Sequence, residues 1–308
     1  APLHPATMSD GVDVEAAMKH KFAEDVFTYT TRDACLYALS VGASEHAPDE
    51  KDLPLVYEGA GDGFRVLPTM AVLFPTMGMS QIFNIPSLRF NPMMLLHGEQ
   101  ELRLTKPLPT SGAITCRPSL GGIYDKGKGA LVLLDSDCFD ESGEKVAFCR
   151  ASLFIRGIGG FGGDRGPKPA AWAVPSRAPD KSDEYKTTEN LALYYRLNGD
   201  TNPLHADPSM AAMGGFEKPI LHGLCFFGIA GRVILRDFCD NDTTKFKAIK
   251  ARFAKSVYPG ETVITDMWAE EGGRVLFQCR VKERDVVVLT NGVAEVEGAA
   301  GGAGGSRL

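Results

Sequence analysis

Between residues 221 and 238 the chain is apolar on nearly every side, the pattern of a helix enclosed by other structure rather than one lying on a surface. Beyond it, 262–268 and 275–281 are short stretches rich in β-branched, aromatic and other apolar residues, with Glu271-Gly272-Gly273 between them. This predicts two strands joined by a tight turn. Ahead of the apolar stretch, 188–197 predicts a short amphipathic helix, followed by a loop through His205. Residues 156–179 are rich in Gly, Pro and Ala and carry neither the helical nor the strand period, so they read as a connector near the middle of the chain.

The two sides of that connector share a series of landmarks. Residues 30–43 align without a gap with 187–200, matching Thr30-Thr31 to Thr187-Thr188, Leu36-Tyr37 to Leu193-Tyr194 and Gly42 to Gly199. Pro68 opens an apolar run to Phe74 as Pro219 opens one to Phe227, and Lys106-Pro107-Leu108-Pro109 precedes a strand as Val257-Tyr258-Pro259-Gly260 does. A preserved order of landmarks points to a duplicated unit. An enclosed helix with strands suggests an α+β hot-dog, a curved antiparallel sheet around a central helix, and its duplication a double hot-dog. The expected division is an N-terminal repeat over 1–155, a linker over 156–186, a second repeat over 187–297 and a Gly/Ala-rich tail over 298–308. In the alignment Asp200 faces Ala43, so only the second repeat retains that carboxylate.

At 308 residues the chain exceeds what one small core usually serves, in keeping with two halves. No apolar run approaches the length that spans a bilayer, so no membrane span is expected. A formal net charge of -6 supplies no global basic field and argues against nucleic acid as a partner, while leaving room for a local basic strip. The seven cysteines are scattered and show no CxxC or Cys/His ligand spacing, so reduced thiols and no metal site are expected. The last three residues, Ser306, Arg307 and Leu308, differ from the Ser-Lys-Leu peroxisomal address by one basic swap, and the small-residue tail would display them to an import receptor. The expected location is the peroxisomal matrix.

The segment from Tyr195 to His205 sets a carboxylate, Asp200, and an imidazole, His205, five residues apart across Gly199 and Asn202-Pro203. In a loop, that spacing can aim both side chains into one pocket. Adding water across a double bond needs one group to take a proton from water and another to deliver one to carbon, and a positioned acid or base contributes about 10²- to 10⁴-fold. Any arbitrary Asp and His in a loop is ordinarily a turn cap and a satisfied imidazole. Here a second histidine motif, His222-Gly223-Leu224, sits where the apolar helix begins. Gly223 can present a bare backbone N–H at the positive end of the helix dipole, where a thioester enolate oxygen would be stabilised.

These residues resemble the type 2, (R)-specific enoyl-CoA hydratases of the MaoC-like group, which include the hydratase unit of peroxisomal multifunctional enzymes. The resemblance runs over 29–296. Its signature, Tyr-x-x-(small)-Gly-Asp-x-Asn-Pro-Leu-His followed six residues later by Ala, is met by Tyr195 through His205 and by Ala211, with Asn198 where the family usually has Ser, Thr, Gly or Cys. The resemblance implies that Asp200 and His205 activate one water, that Asn202 orients them, that the Gly223 N–H holds the thioester oxygen, and that the product is a (3R)-3-hydroxyacyl-CoA of fatty-acid β-oxidation. It further implies that His97, Gly98, Lys126 and Phe253 contact the acyl-CoA, that the N-terminal repeat is a degenerate binding unit, that no separate cofactor is needed and that the protein is a homodimer. A lysine beside glycines suits a phosphate.

Gly157-Ile158-Gly159-Gly160-Phe161-Gly162-Gly163 looks superficially like a dinucleotide loop, but no helix is predicted after it, so it is assigned to the linker. The methionines of 70–94 are read as adaptable core, or as the lining of an acyl tunnel. Two rival functions remain on fold grounds. One is a hot-dog acyl-CoA thioesterase; the other is a non-catalytic acyl-CoA binding protein, against which the retention of both Asp200 and His205 speaks.

Overall fold

The computed structural model of the protein describes residues 12–45, 49–168 and 172–297. In the first half, α1 (Val14–Met18), β1 (Asp25–Tyr29), α2 (Thr31–Ser40), α3 (Leu53–Val56) and α4 (Thr76–Gln81) precede four long strands. These are β2 (Leu95–Leu104), β3 (Gly112–Asp125), β4 (Gly129–Phe139) and β5 (Lys145–Arg156). The second half runs β6 (Lys181–Lys186), α5 (Leu191–Tyr195), α6 (Pro208–Met213), α7 (Gly223–Cys239), β7 (Phe246–Phe253), β8 (Thr262–Glu270), β9 (Arg274–Val281) and β10 (Val286–Val296).

All ten strands join one antiparallel sheet in the order β1-β3-β4-β5-β2-β7-β10-β9-β8-β6. Read inward from either edge, both halves follow one rule: first, third, fourth, fifth, second. The duplication read from the sequence is therefore present in the strand topology. The halves meet at a seam where β2 pairs antiparallel with β7, from Glu99↔Arg252 to Arg103↔Ala248. Lys250 reinforces it, 2.8 Å from Glu99 and 3.4 Å from Glu101.

The central helix differs between the halves. In the second, α7 runs 17 residues with only a few side chains reaching solvent, and it ends where Asp240 turns left-handed (φ 55°) and donates its N–H to the Leu235 carbonyl. It begins two residues later than the apolar run because the Leu221 N–H is committed to the Val257 carbonyl and His222 is extended. In the first, the matching segment is a 3-10 turn over Pro68–Leu73, followed by Pro75 and the short α4. If Pro68 is laid on Pro219, Pro75 falls on Phe226, inside the first turn of α7. In the first half Pro75, which supplies no N–H, separates the 3-10 turn from α4, and no single long helix forms there.

One core serves both halves: Tyr37, Phe74, Leu102 and Cys149 from the first cluster with Phe227, Ile234, Ile249 and Phe277 from the second. Gly228 and Gly231 let α7 approach the first half closely; a Cβ on Gly228 would lie 2.7 Å from the Tyr37 hydroxyl, and one on Gly231 2.3 Å from Thr69 Cγ2. Buried Arg232 donates to the Val41 carbonyl at 3.0 Å and lies between Asp52 and Asp183. All seven cysteines are free and buried. Met70 is core, whereas Met93 and Met94 are exposed.

Two sequence expectations are corrected. The linker does not extend to 186, because Lys181–Lys186 is strand β6, paired with β8 from Lys181↔Met267 to Lys186↔Thr262. The connector itself packs on the body. The Gly160 and Gly162 N–H groups donate to the Asp125 carboxylate, and Trp172 and Val174 cover Trp268, Leu276 and Val293 on the outer face of the sheet. The predicted helix over 188–197 is shorter, Leu191–Tyr195, and tightens into a 3-10 turn over Arg196–Asn198 before Gly199 turns at φ 121°. Residues 298–308, with Ser306, Arg307 and Leu308, lie outside the described residues.

Candidate active site

One loop, running from Gly199 to His205, delivers the acid/base pair. After Gly199, the Asp200 carboxylate accepts the Asn202 backbone N–H at 3.1 Å, and the Asn202 side chain in turn accepts the Leu204 N–H at 3.1 Å. Asn202 thus caps the 3-10 turn Pro203–His205 and places His205 at its end. Asn202 is itself exposed; what it presents to Asp200 is its main chain. Asn198, the departure from the family signature, donates to Ser40 Oγ at 3.0 Å and to the Tyr195 carbonyl at 2.9 Å, tying this loop to the matching turn of the first half.

His205 is buried, with Nδ1 2.8 Å from the Ile220 carbonyl. A carbonyl only accepts, so Nδ1 carries the proton and Nε2 keeps its lone pair. Burial lowers the pKa of His205; the Ile220 carbonyl and the charge of Asp200 oppose that shift without cancelling it. At neutral pH the ring is therefore an uncharged acceptor. His222 stacks on it with ring centroids 3.8 Å apart and planes inclined 26°. His222 Nε2 lies 3.1 Å from the Asp200 carbonyl and so donates to it, while Nδ1 is buried without a hydrogen-bond partner. Burial, and then the neighbouring His205, push its pKa down to about 4.

Asp200, His205 and His222 each offer a ligand-type atom, and these lie within 4.8 Å of one another. This is the group among the described residues with the donor set for a cation. The nearly parallel imidazole planes, however, do not aim both lone pairs at one point unless a ring turns. As three separate groups they suit proton transfer: a carboxylate, a neutral base and a second imidazole behind it.

Gly223 is the first residue of α7, so its N–H has no acceptor within the helix. Phe253, at the end of β7, lies beside it: a Cβ on Gly223 would sit 3.1 Å from Phe253 Cε1. From the first half, His97 on β2 meets Phe253 edge to face at 5.0 Å. Its Nε2 is buried without a partner, and burial pushes its pKa down to about 4, with Gln100, the Glu99 backbone and the charge of Asp200 opposing the shift in that order. Gly98 follows at a bulge in the β2–β5 ladder, where a Cβ would approach the Ser152 carbonyl at 3.3 Å. The structure thus gathers Asp200, His205, Gly223, His97, Gly98 and Phe253 around the seam and the start of α7. Lys126 stands apart, in the β3–β4 turn with its ammonium on the Arg165 carbonyl.

Sequence reasoning left His222 only as the neighbour of Gly223, and Tyr195 only as the first letter of a signature. Tyr195 is fully buried, 4.9 Å from the His222 ring, with its hydroxyl unpartnered. The available signal was position: a histidine immediately before an enclosed helix is set against whatever occupies that helix's N-terminal end.

Residues 27–157 match the MFE-2 hydratase 2 N-terminal domain family, and residues 171–292 the MaoC like domain family. The chain is 46% identical over 291 residues to a probable enoyl-CoA hydratase 2 of Dictyostelium discoideum, covering 93% of this chain and 97% of that protein. It is 39% identical over 305 residues to the peroxisomal enoyl-CoA hydratase 2 of Arabidopsis thaliana, covering 95% and 98%. Among solved structures, a MaoC-like dehydratase from Phytophthora capsici superposes with a TM-score of 0.83 at 38% identity, covering 95% of this chain and all of that one. The duplicated sheet with its enclosed helix is the double hot-dog architecture. The chain belongs to the enoyl-CoA hydratase 2 family of MaoC-like hydro-lyases.

Proposed function

We propose that the protein hydrates trans-2-enoyl-CoA to (3R)-3-hydroxyacyl-CoA, reversibly, in peroxisomal fatty-acid β-oxidation. The observation that carries this reading is the placement of His205: its Nδ1–H is fixed on the Ile220 carbonyl, which leaves the Nε2 lone pair for water beside the Asp200 carboxylate. The pair activates a water whose oxygen bonds to C3. The C2–C3 π electrons move toward the thioester, whose oxygen takes up negative charge against the Gly223 N–H, and the pair supplies the proton that C2 then accepts. A preorganised backbone donor in such a place contributes about 2.7 to 4 kcal/mol.

The first repeat is the binding partner in this reading. His97 and Gly98, with Phe253 from the second repeat, border the thioester, Lys126 meets a CoA phosphate, and no further cofactor takes part. Ser306, Arg307 and Leu308 address the protein to the peroxisomal import receptor, and the native assembly is a homodimer. The test is incubation with trans-2-enoyl-CoA, following loss of the conjugated enoyl absorbance, release of free thiol and the C3 configuration of the product. Hydration without thiol release, with (R) product, is expected, and Asp200→Asn or His205→Gln should each lower kcat by about 10²- to 10⁴-fold. Thiol release without hydroxyacyl-CoA would make the protein a thioesterase, and binding without turnover an acyl-CoA carrier.

A further inference from the structure

We infer that His222 is the positioning residue of the site: its side chain holds the base and the carboxylate loop in mutual register, at the residue that directly precedes the oxyanion donor. The inference rests on the hydratase reading above. The His222 side chain touches two of these parts by different kinds of contact, and its backbone adjoins the third. Its ring face lies on His205 at 3.8 Å and limits rotation of that imidazole about its side-chain bonds. Its Nε2–H donates to the main-chain carbonyl of Asp200 at 3.1 Å, fixing the loop at the residue that bears the carboxylate. Its own backbone is the extended N-cap of α7 (φ -57°, ψ 135°), so it is covalently joined to Gly223.

Nothing in packing alone calls for an imidazole at this place. The residue is 1% exposed and leaves Nδ1 buried without a partner, a desolvation cost that an apolar side chain of the same shape would not carry. In the first half, laying Pro68 on Pro219 sets Ala71 where the second has His222, and Ala71 is fully buried in the same core. The half that lacks the acid/base pair therefore also lacks the histidine. Tyr195 closes the opposite side at 4.9 Å, so the ring is held between Tyr195 and His205 and has little freedom of its own.

The test separates the hydrogen bond from the bulk of the side chain. His222→Gln puts an amide nitrogen at the reach of Nε2, and His222→Asn puts one only at the reach of Nδ1. Both are polar amides of related stability cost. In the full-length protein assayed with trans-2-enoyl-CoA, the Asn variant is expected to lose about 100-fold in kcat and the Gln variant about tenfold or less, both with KM little changed. Imidazole ¹⁵N NMR supplies a readout independent of turnover: His205 should keep its Nδ1–H tautomer in the unaltered and Gln chains and mix tautomers in the Asn chain. Equal kcat in the two variants, kcat matching the unaltered protein in both, or a rise in KM that accounts for the loss would overturn the role. Absence of hydration by the unaltered chain would instead sink the hydratase reading, leaving the NMR comparison to decide whether His222 holds His205.

Discussion

His205 has its proton placed by one neighbour and its charge removed by another influence. The Ile220 carbonyl decides which nitrogen carries hydrogen, and burial keeps the ring neutral. A base of this kind loses its lone pair as pH falls, so kcat/KM should decline on the acid side. Because burial lowers the His205 pKa below its ordinary 6.5, the midpoint of that decline should lie below 6.5. A pH–rate profile checks this, with the midpoint read as a property of the interacting groups; a midpoint above 6.5 would remove His205 as the base. At this scale the sequence was informative where chemistry is local. The five-residue spacing of Asp200 and His205 needed only Gly199 and Asn202-Pro203 to become a shared site. His222 was not legible in the same way, because its stack on His205 depends on how α7 enters the sheet. Asn202 was expected to orient the pair; its side-chain oxygen caps the turn that ends at His205, and its main-chain N–H meets Asp200.

The helix α7 carries one end of the site and the middle of the core, and the two duties constrain it differently. Its start is set by the Leu221 N–H on the Val257 carbonyl and by the extended His222, and its body by contact with the first half at Gly228 and Gly231. Gly231→Ala would set a Cβ 2.3 Å from Thr69 Cγ2, with Thr69 itself buried, so the helix or the Pro68–Leu73 turn must shift. Overpacking of that kind costs about 1–3 kcal/mol, and thermal unfolding of the variant should show a lowered Tm. An unchanged Tm would mean that the turn yields freely. The extent of α7 was readable because an apolar run on all sides has few alternatives. Strand β6 was not: in Lys181–Lys186 only Tyr185 is apolar and buried, so an edge strand paired on one side leaves almost no alternation to detect. The equal strand order of the halves was foreshadowed by the aligned Thr30 and Thr187, each of which directly follows its edge strand.

At the scale of the whole molecule, the β2–β7 seam joins the two repeats as two separate chains would be joined, by an antiparallel ladder between equivalent strands. Side chains of the site come from both sides of it, His97 from β2 and Phe253 from β7. Neither repeat holds the whole arrangement. The covalent connector makes their meeting an intramolecular event rather than an encounter between two separate chains. A ladder that need only close under those conditions is under no pressure to be tight enough for dilute partners. A break between Lys168 and Trp172 should therefore give two fragments that copurify and hydrate enoyl-CoA when produced together at high concentration, and that lose activity on dilution. Activity independent of dilution would show that the seam is sufficient by itself. On this account duplication did more than spare one half from catalysis: it replaced a binding equilibrium with a length of chain, and so freed the seam to be shaped by the ligand it borders rather than by the affinity of its two sides.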